Sequence, residues 1–142
     1  MAGTSSARKA PATGTIPAST GVVERIHALK RGLLLAFFDQ LQEDLRLPSS
    51  ALAAVVNIPL RTLARRKAQG RFRLDESERI ERLRILFDHA AEVLGGKEEA
   101  RTWLNSPKRA LENATPLQFS DTGPGVQEVE NLLGRIEHGV FS

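Results

Sequence analysis

Apolar residues recur along this chain at helical rather than strand intervals. From Val22 to Leu45 they fall at Val22, Val23, Ile26, Leu29, Leu33, Leu34, Phe37, Phe38, Leu41 and Leu45, which predicts helix with one broad buried face. Gly32, after two basic residues, divides the run into two helices. The Leu/Phe cluster at 33–38 reads as core rather than as a lipid or cofactor box. Two shorter patterns follow between Pro48 and Arg73. Leu52, Val55 and Val56 share a face of a helix that Ser49 or Ser50 can cap. Asn57-Ile58-Pro59 ends it, because a proline biases the residue before it out of the helical region and itself suits a helix start. The second helix, from about Leu60 to Gln69, keeps Leu60, Leu63 and Ala64 for packing, turns Arg61, Thr62, Arg65, Arg66 and Gln69 outward, and stops at Gly70.

Farther on, Asp75-Glu76-Ser77-Glu78 has the form of a capping box with Asp75 at the cap. Behind it Ile80, Leu83, Leu86, Phe87, Ala90, Val93 and Leu94 predict an amphipathic helix of about five turns, closed by Gly95-Gly96. Its polar positions, Glu78, Arg79, Glu81, Arg82 and Arg84, read as a solvated, ion-paired surface. This helix either joins two halves of the molecule or supplies a dimer face. Lys97 to Leu104 predicts a short helix, a turn holding Leu111 comes next, and Thr122 caps a last helix with Val126, Val129, Leu132, Leu133 and Ile136 on its apolar side. The expected fold class is all-α.

Charge singles out the paired short helices. Between Leu45 and Leu74 stand seven basic residues (Arg46, Arg61, Arg65, Arg66, Lys67, Arg71 and Arg73) and no acidic one; residues 1–44 balance at +1 and residues 75–142 at −5. The overall charge of +3 thus hides one basic segment followed by an acidic half, a field that favours a polyanion at one end only. Two short helices joined by a tight turn, the second rich in arginine, are what a helix-turn-helix needs to lay a helix in a major groove. Arg61, Thr62 and Arg65 are the candidates for base edges; Arg66, Lys67, Arg71 and Arg73 are better placed for phosphates, and Gln69 shares the outward face. The bland alternative is a solvated helix surface. One such helix reads few base pairs, so operator DNA would be bound by a homodimer on a two-fold site.

Composition removes other classes. Absence of cysteine excludes disulfides, zinc-thiolate sites, iron–sulfur clusters and a cysteine nucleophile. His27, His89 and His138 lack metal-ligand spacing and read as surface or cap residues, so no metal is expected. No carboxylate pairs with a histidine or glycine-rich loop in a catalytic arrangement, so no catalytic residue, cofactor or small-molecule substrate is expected. The longest apolar run, Leu33 to Phe38, is far short of the roughly 20 residues that span a bilayer, and no secretory signal precedes it, which points to a cytoplasmic protein without membrane contact. Residues 1–20, rich in Ala, Gly, Ser, Thr and Pro, read as a flexible tail. Val140 and Phe141, apolar and directly after Gly139, either fold back on the domain or enter a partner's pocket.

WLNSP at 103–107, TPLQF at 115–119, TGPG at 122–125 and LLGRIEHGVFS at 132–142 resemble the C-terminal domain of Xre/ParS-type antitoxins. The resemblance extends over about residues 22–142, including RTLARR at 61–66 and Asp75-Glu76-Ser77-Glu78-Arg79; the ordered set, more than any one motif, is specific. It implies a tail over 1–20, a helix-turn-helix domain over 21–74, a connecting helix over 75–95 and a toxin-binding domain with its tail over 96–142. The implied partner is a RES-domain toxin that consumes NAD. The family places its C-terminal tail at or near the toxin's cleft, which carried onto this chain gives Arg135, Glu137, His138, Gly139, Val140 and Phe141. A dinucleotide cleft would be rich in positive groups, so an acidic, partly apolar module suits it. Arg135 either pairs with a toxin carboxylate or caps its own helix. Two departures stand out: Pro59 where relatives carry a serine cap, which weakens the case for operator affinity, and Gly123-Pro124 at the start of the last helix. The rival reading is a helix-turn-helix transcriptional regulator with no toxin partner.

Overall fold

A computed structural model describes residues 15–17 and 19–139. Among the described residues the helices are α1 (Val22–Arg31), α2 (Leu35–Leu45), α3 (Ser49–Val55), α4 (Leu60–Gln69), α5 (Leu74–Leu94), α6 (Lys97–Leu104), α7 (Pro116–Phe119) and α8 (Gly123–Glu137), with a 3-10 turn at Arg109–Leu111. Among the described residues no strand forms, and the chain is all-α.

Everything is built on α5, which packs against α1, α2, α6 and α8. One hydrophobic core runs from Leu33, Phe38 and Leu41 through Leu52, Leu63 and Phe72, along Ile80, Leu83, Leu86 and Phe87, to Leu104, Leu117, Val129 and Leu133. The helix-turn-helix and the C-terminal helices therefore share a core. Ile16 also packs against it, so the packed chain begins within the segment expected to be a tail.

Local chemistry explains the joints. Gly32 ends α1 at φ +89, where a Cβ would collide with the Phe72 carbonyl. That close approach lets Phe72 N–H donate to Leu33 O (2.9 Å) and Leu35 N–H donate to Gly70 O (3.2 Å), tying the α1–α2 joint to the end of α4. Gly125, in the first turn of α8, lies against the Phe119 carbonyl with no room for a Cβ. Thr122 Oγ1 accepts from Gly125 N–H (3.0 Å), and Thr115 and Gln118 cap α7 reciprocally at 3.0 and 2.8 Å around Pro116. The TPLQF and TGPG stretches are thus two helix starts and one forced close contact.

Several expectations are corrected. α3 begins at Ser49 with Pro48 in the cap position, so neither serine caps it through its side chain. α5 begins at Leu74, and Glu76, not Glu78, reaches back to accept the Arg73 N–H (2.9 Å). The predicted buried face does not extend along α1, where Val22, Val23 and Ile26 are exposed. The polar side of α5 is solvated only in part: Glu78 and Arg82 are exposed, but Glu81 and Arg84 are buried, Glu81 bonded to Arg25 and Arg84 bonded to Asp44 (2.8 Å). Asp44 also holds Lys97 (3.3 Å), and Arg84 Nη1 holds Asp88 (3.0 Å). Burial alone would raise the Asp44 carboxyl, but Arg84 and Lys97 hold it below its ordinary value.

Candidate functional site

The first candidate surface is the outer face of α4. Its inner side runs through Leu63 and Arg66. Arg66 is buried, its Nε and Nη2 donating to the two Glu76 carboxylate oxygens at 2.8 and 2.9 Å. Burial opposes the charge on Glu76, but Arg66 and the Arg73 amide outweigh it and lower its pKa. Arg66 is therefore removed from the expected DNA-binding set: it anchors the helix and cannot reach a phosphate. The expectation that Leu60 and Ala64 pack inward is also corrected. Both are exposed, because Ala64 is turned about 100° from Leu63 and Leu60 lies on the same outer side.

Arg61, Arg65, Lys67 and Gln69 are exposed on this face, and Thr62 is half-buried at its edge. Gln69 Oε1 accepts from Arg66 Nη1 (3.1 Å). Arg71 and Arg73 follow in the exposed segment after Gly70; Arg71 Nη1 donates to the Gly32 carbonyl (2.7 Å) and so also holds the α1–α2 joint. The turn between α3 and α4 is held from behind. Arg79 donates through Nε to Val56 O (2.6 Å) and through Nη2 to Asn57 O (3.2 Å), and Asn57 Nδ2 donates to Asp121 O (2.6 Å). Sequence reasoning left Arg79 in solvent, since nothing in its neighbourhood names a partner 22 residues earlier.

The second candidate surface is the end of α8. Val129 and Leu133 are fully buried, and Ile136 and Arg135 are half-buried. Glu137, His138 and Gly139 are exposed, with Gly139 at φ +72 turning the chain out of the helix. Val140 and Phe141 lie outside the described residues.

His89, on α5, faces this helix. Its Nδ1 lies 2.6 Å from Glu130 Oε1 and its Nε2 lies 3.1 Å from Glu137 Oε1. Burial of the ring works against its charge, but the hydrogen bonds and charges of Glu137 and Glu130 prevail and raise its pKa above the ordinary histidine value. The reading of His89 as a surface or cap residue missed this role, because its partners stand 41 and 48 residues away. Beside it, a groove of about 770 Å³ is lined by residues of α1, α2 and α5, by Lys97 of α6 and by Thr15, Ile16 and Pro17. No helix among the described residues is long and apolar enough to cross a membrane.

Comparison with known proteins finds two family profiles in succession. An antitoxin Xre-like helix-turn-helix domain matches residues 24–84, and an antitoxin Xre/MbcA/ParS C-terminal toxin-binding domain matches residues 89–139. The chain is 37% identical over 129 residues to the antitoxin Xre of Yersinia enterocolitica, covering 89% of this chain and 86% of that one. It is 36% identical over 116 residues to the antitoxin Xre of Photorhabdus laumondii, covering 80% and 78%. Among solved structures it is similar, with a TM-score of 0.58 and 30% identity, to a chain of the crystal structure of the M. tuberculosis MbcT–MbcA toxin–antitoxin complex, covering 74% of this chain and 94% of that one.

Proposed function

The chain belongs to the Xre/MbcA/ParS family of antitoxins, and from that premise we propose that it neutralises a RES-domain, NAD-consuming toxin in the cytoplasm and binds its own operon's promoter. The observation that carries the toxin part is the end of α8. A helix fixed by Val129 and Leu133 projects Glu137, His138 and Gly139 into solvent, and these lead into Val140 and Phe141. In this reading the projecting segment covers the toxin's cleft. The carboxylates speed encounter with a positively lined dinucleotide site, and the apolar tip supplies buried area. Inhibition is occlusion; the antitoxin performs no chemistry.

The promoter part rests on α4. Arg61, Thr62 and Arg65 would meet base edges, and Lys67, Arg71 and Arg73 would meet phosphates, with Gln69 at the margin. A homodimer would present two such helices to a two-fold operator. A regulator without a toxin partner shares this surface and gives the end of α8 no task.

The test is to induce the neighbouring gene in cells with and without this chain while following growth and intracellular NAD. The expected result is growth arrest with NAD loss only where the chain is missing. Arrest with NAD unchanged would remove the RES assignment, and no arrest in either strain would favour the stand-alone regulator.

A further inference from the structure

Glu130 and Glu137 stand seven residues apart, two turns along one side of α8, and both reach the same imidazole. A neutral imidazole has one N–H and one lone pair; only the imidazolium donates from both nitrogens. Two carboxylate acceptors on one ring therefore call for the charged form. With a neutral ring, one carboxylate would face a lone pair. Asp88 and Glu92 line the same groove as His89 on α5, and Asp88 is paired with Arg84. Across the groove, the Arg84 guanidinium is held by Asp44 and Asp88, the Lys97 ammonium by Asp44, and Glu81 by Arg25. Among the described residues, His89 is the group that pairs with both Glu130 and Glu137.

We propose that His89, as the imidazolium, is the positioning residue that holds the last turn of α8 against α5 and so sets where Glu137, His138 and Gly139 point. This deepens the toxin-binding reading and rests on it for its biological meaning, but the latch itself is a property of the free chain. Beyond Ile136 the described residues are all exposed, so core packing has little grip on this turn. The bonds that would loosen are His138 N–H to Gly134 O (3.0 Å) and Gly139 N–H to Ile136 O (3.1 Å). Protonation favours the ordered turn, so the grip is complete below the ordinary histidine value and is lost as pH rises through the raised value of the folded chain.

The experiment is an NMR titration of the full-length, 15N-labelled chain from about pH 5.5 to about 8.5, bracketing the range where imidazole changes charge. A His138→Asn background removes the other ring at the helix end. The expected result is that both ring nitrogens of His89 carry protons at the acid end, and that the Glu137 and Gly139 amides titrate with the ring. Exchange protection of the Gly139 amide, corrected for intrinsic rates, should fall about tenfold for each unit by which the carboxylates raise the midpoint. Glu137→Gln should lower the midpoint and uncouple the last-turn amides, and Glu130→Gln should lower it without removing Glu137. His89→Gln should abolish the pH response of the last turn while helix content stays unchanged. A single-proton ring throughout, or last-turn amides indifferent to the ring's titration, overturns the proposal. Growth rescue by a chain ending at residue 136, with the coupled titration intact in the full chain, overturns the reading that the segment from Glu137 onward covers the toxin's cleft and leaves the latch standing.

Discussion

On α4 the arginine that fixes the helix, Arg66, is buried against Glu76, while Arg61 and Arg65 stand exposed on the opposite side. At the end of α8 the two tasks meet in one side chain: Glu137 faces solvent where a partner would dock, and it also ties the helix to His89. On α4 itself, holding and the proposed binding fall to different side chains; at Glu137 they fall to one. A substitution at Arg61 or Arg65 should change affinity without touching stability, whereas one at Glu137 should alter the last turn of α8 as well as its charge.

The largest effect is expected from breaking the separable side at its anchor. Arg66→Ala leaves Glu76 buried and unpaired, and urea unfolding should show a loss of about 3–5 kcal/mol. Arg66→Met with Glu76→Leu should restore much of it, because an apolar pair of similar volume replaces two desolvated charges. No recovery in the double variant would mean that the pair specifies the α4–α5 geometry and does more than fill space.

Gly125→Ala forces a methyl group onto the Phe119 carbonyl, and the same measurement should show a loss of about 1–3 kcal/mol. It should also weaken toxin neutralisation, because α8 must shift to make room. Arg65→Ala is the contrasting case. Stability should change by less than about 0.5 kcal/mol, while binding to the operator weakens by about 1–3 kcal/mol and binding to random DNA changes far less. Equal losses on both DNAs would move Arg65 to the phosphate-contacting group.

The smallest effects are those of pH. The lowered carboxyls of Asp44 and Glu76 contribute stability that is present above their ordinary values and disappears as pH falls through their folded values. His89 works in the opposite direction, its contribution vanishing as pH rises. The free energy of chemical unfolding as a function of pH should thus decline on both sides, with Asp44→Asn flattening the acid limb and His89→Gln the alkaline one.

The sequence was a good guide to several local determinants, although it misplaced the caps of α3 and α5 by a residue or two. Leu60–Gln69 as a helix, Gly32 as a break and Thr122 as a cap are set by turn chemistry and apolar period within a few residues. It misled where charged residues are buried by partners far along the chain. Arg66, Glu81, Arg84 and His89 look like surface residues in a helical pattern, and each is drawn inward by a group 10 to 56 residues away. Val22, Val23 and Ile26 are the converse: the period marks them as core, yet they stand exposed. On α4, Arg61, Arg65, Lys67 and Gln69 were legible as outward residues, whereas Arg66, in the same basic run, was not, because its partner Glu76 lies on the next helix. The clasp at the end of α8 was not, because it exists only once α5 and α8 are side by side.

The most direct test of the two-surface account is to compare the full chain with one ending at residue 136 in two assays, promoter binding and rescue from the induced neighbouring gene. The account predicts that the shortened chain binds the promoter as tightly as the full one and fails to rescue growth. Full rescue by the shortened chain would contradict it.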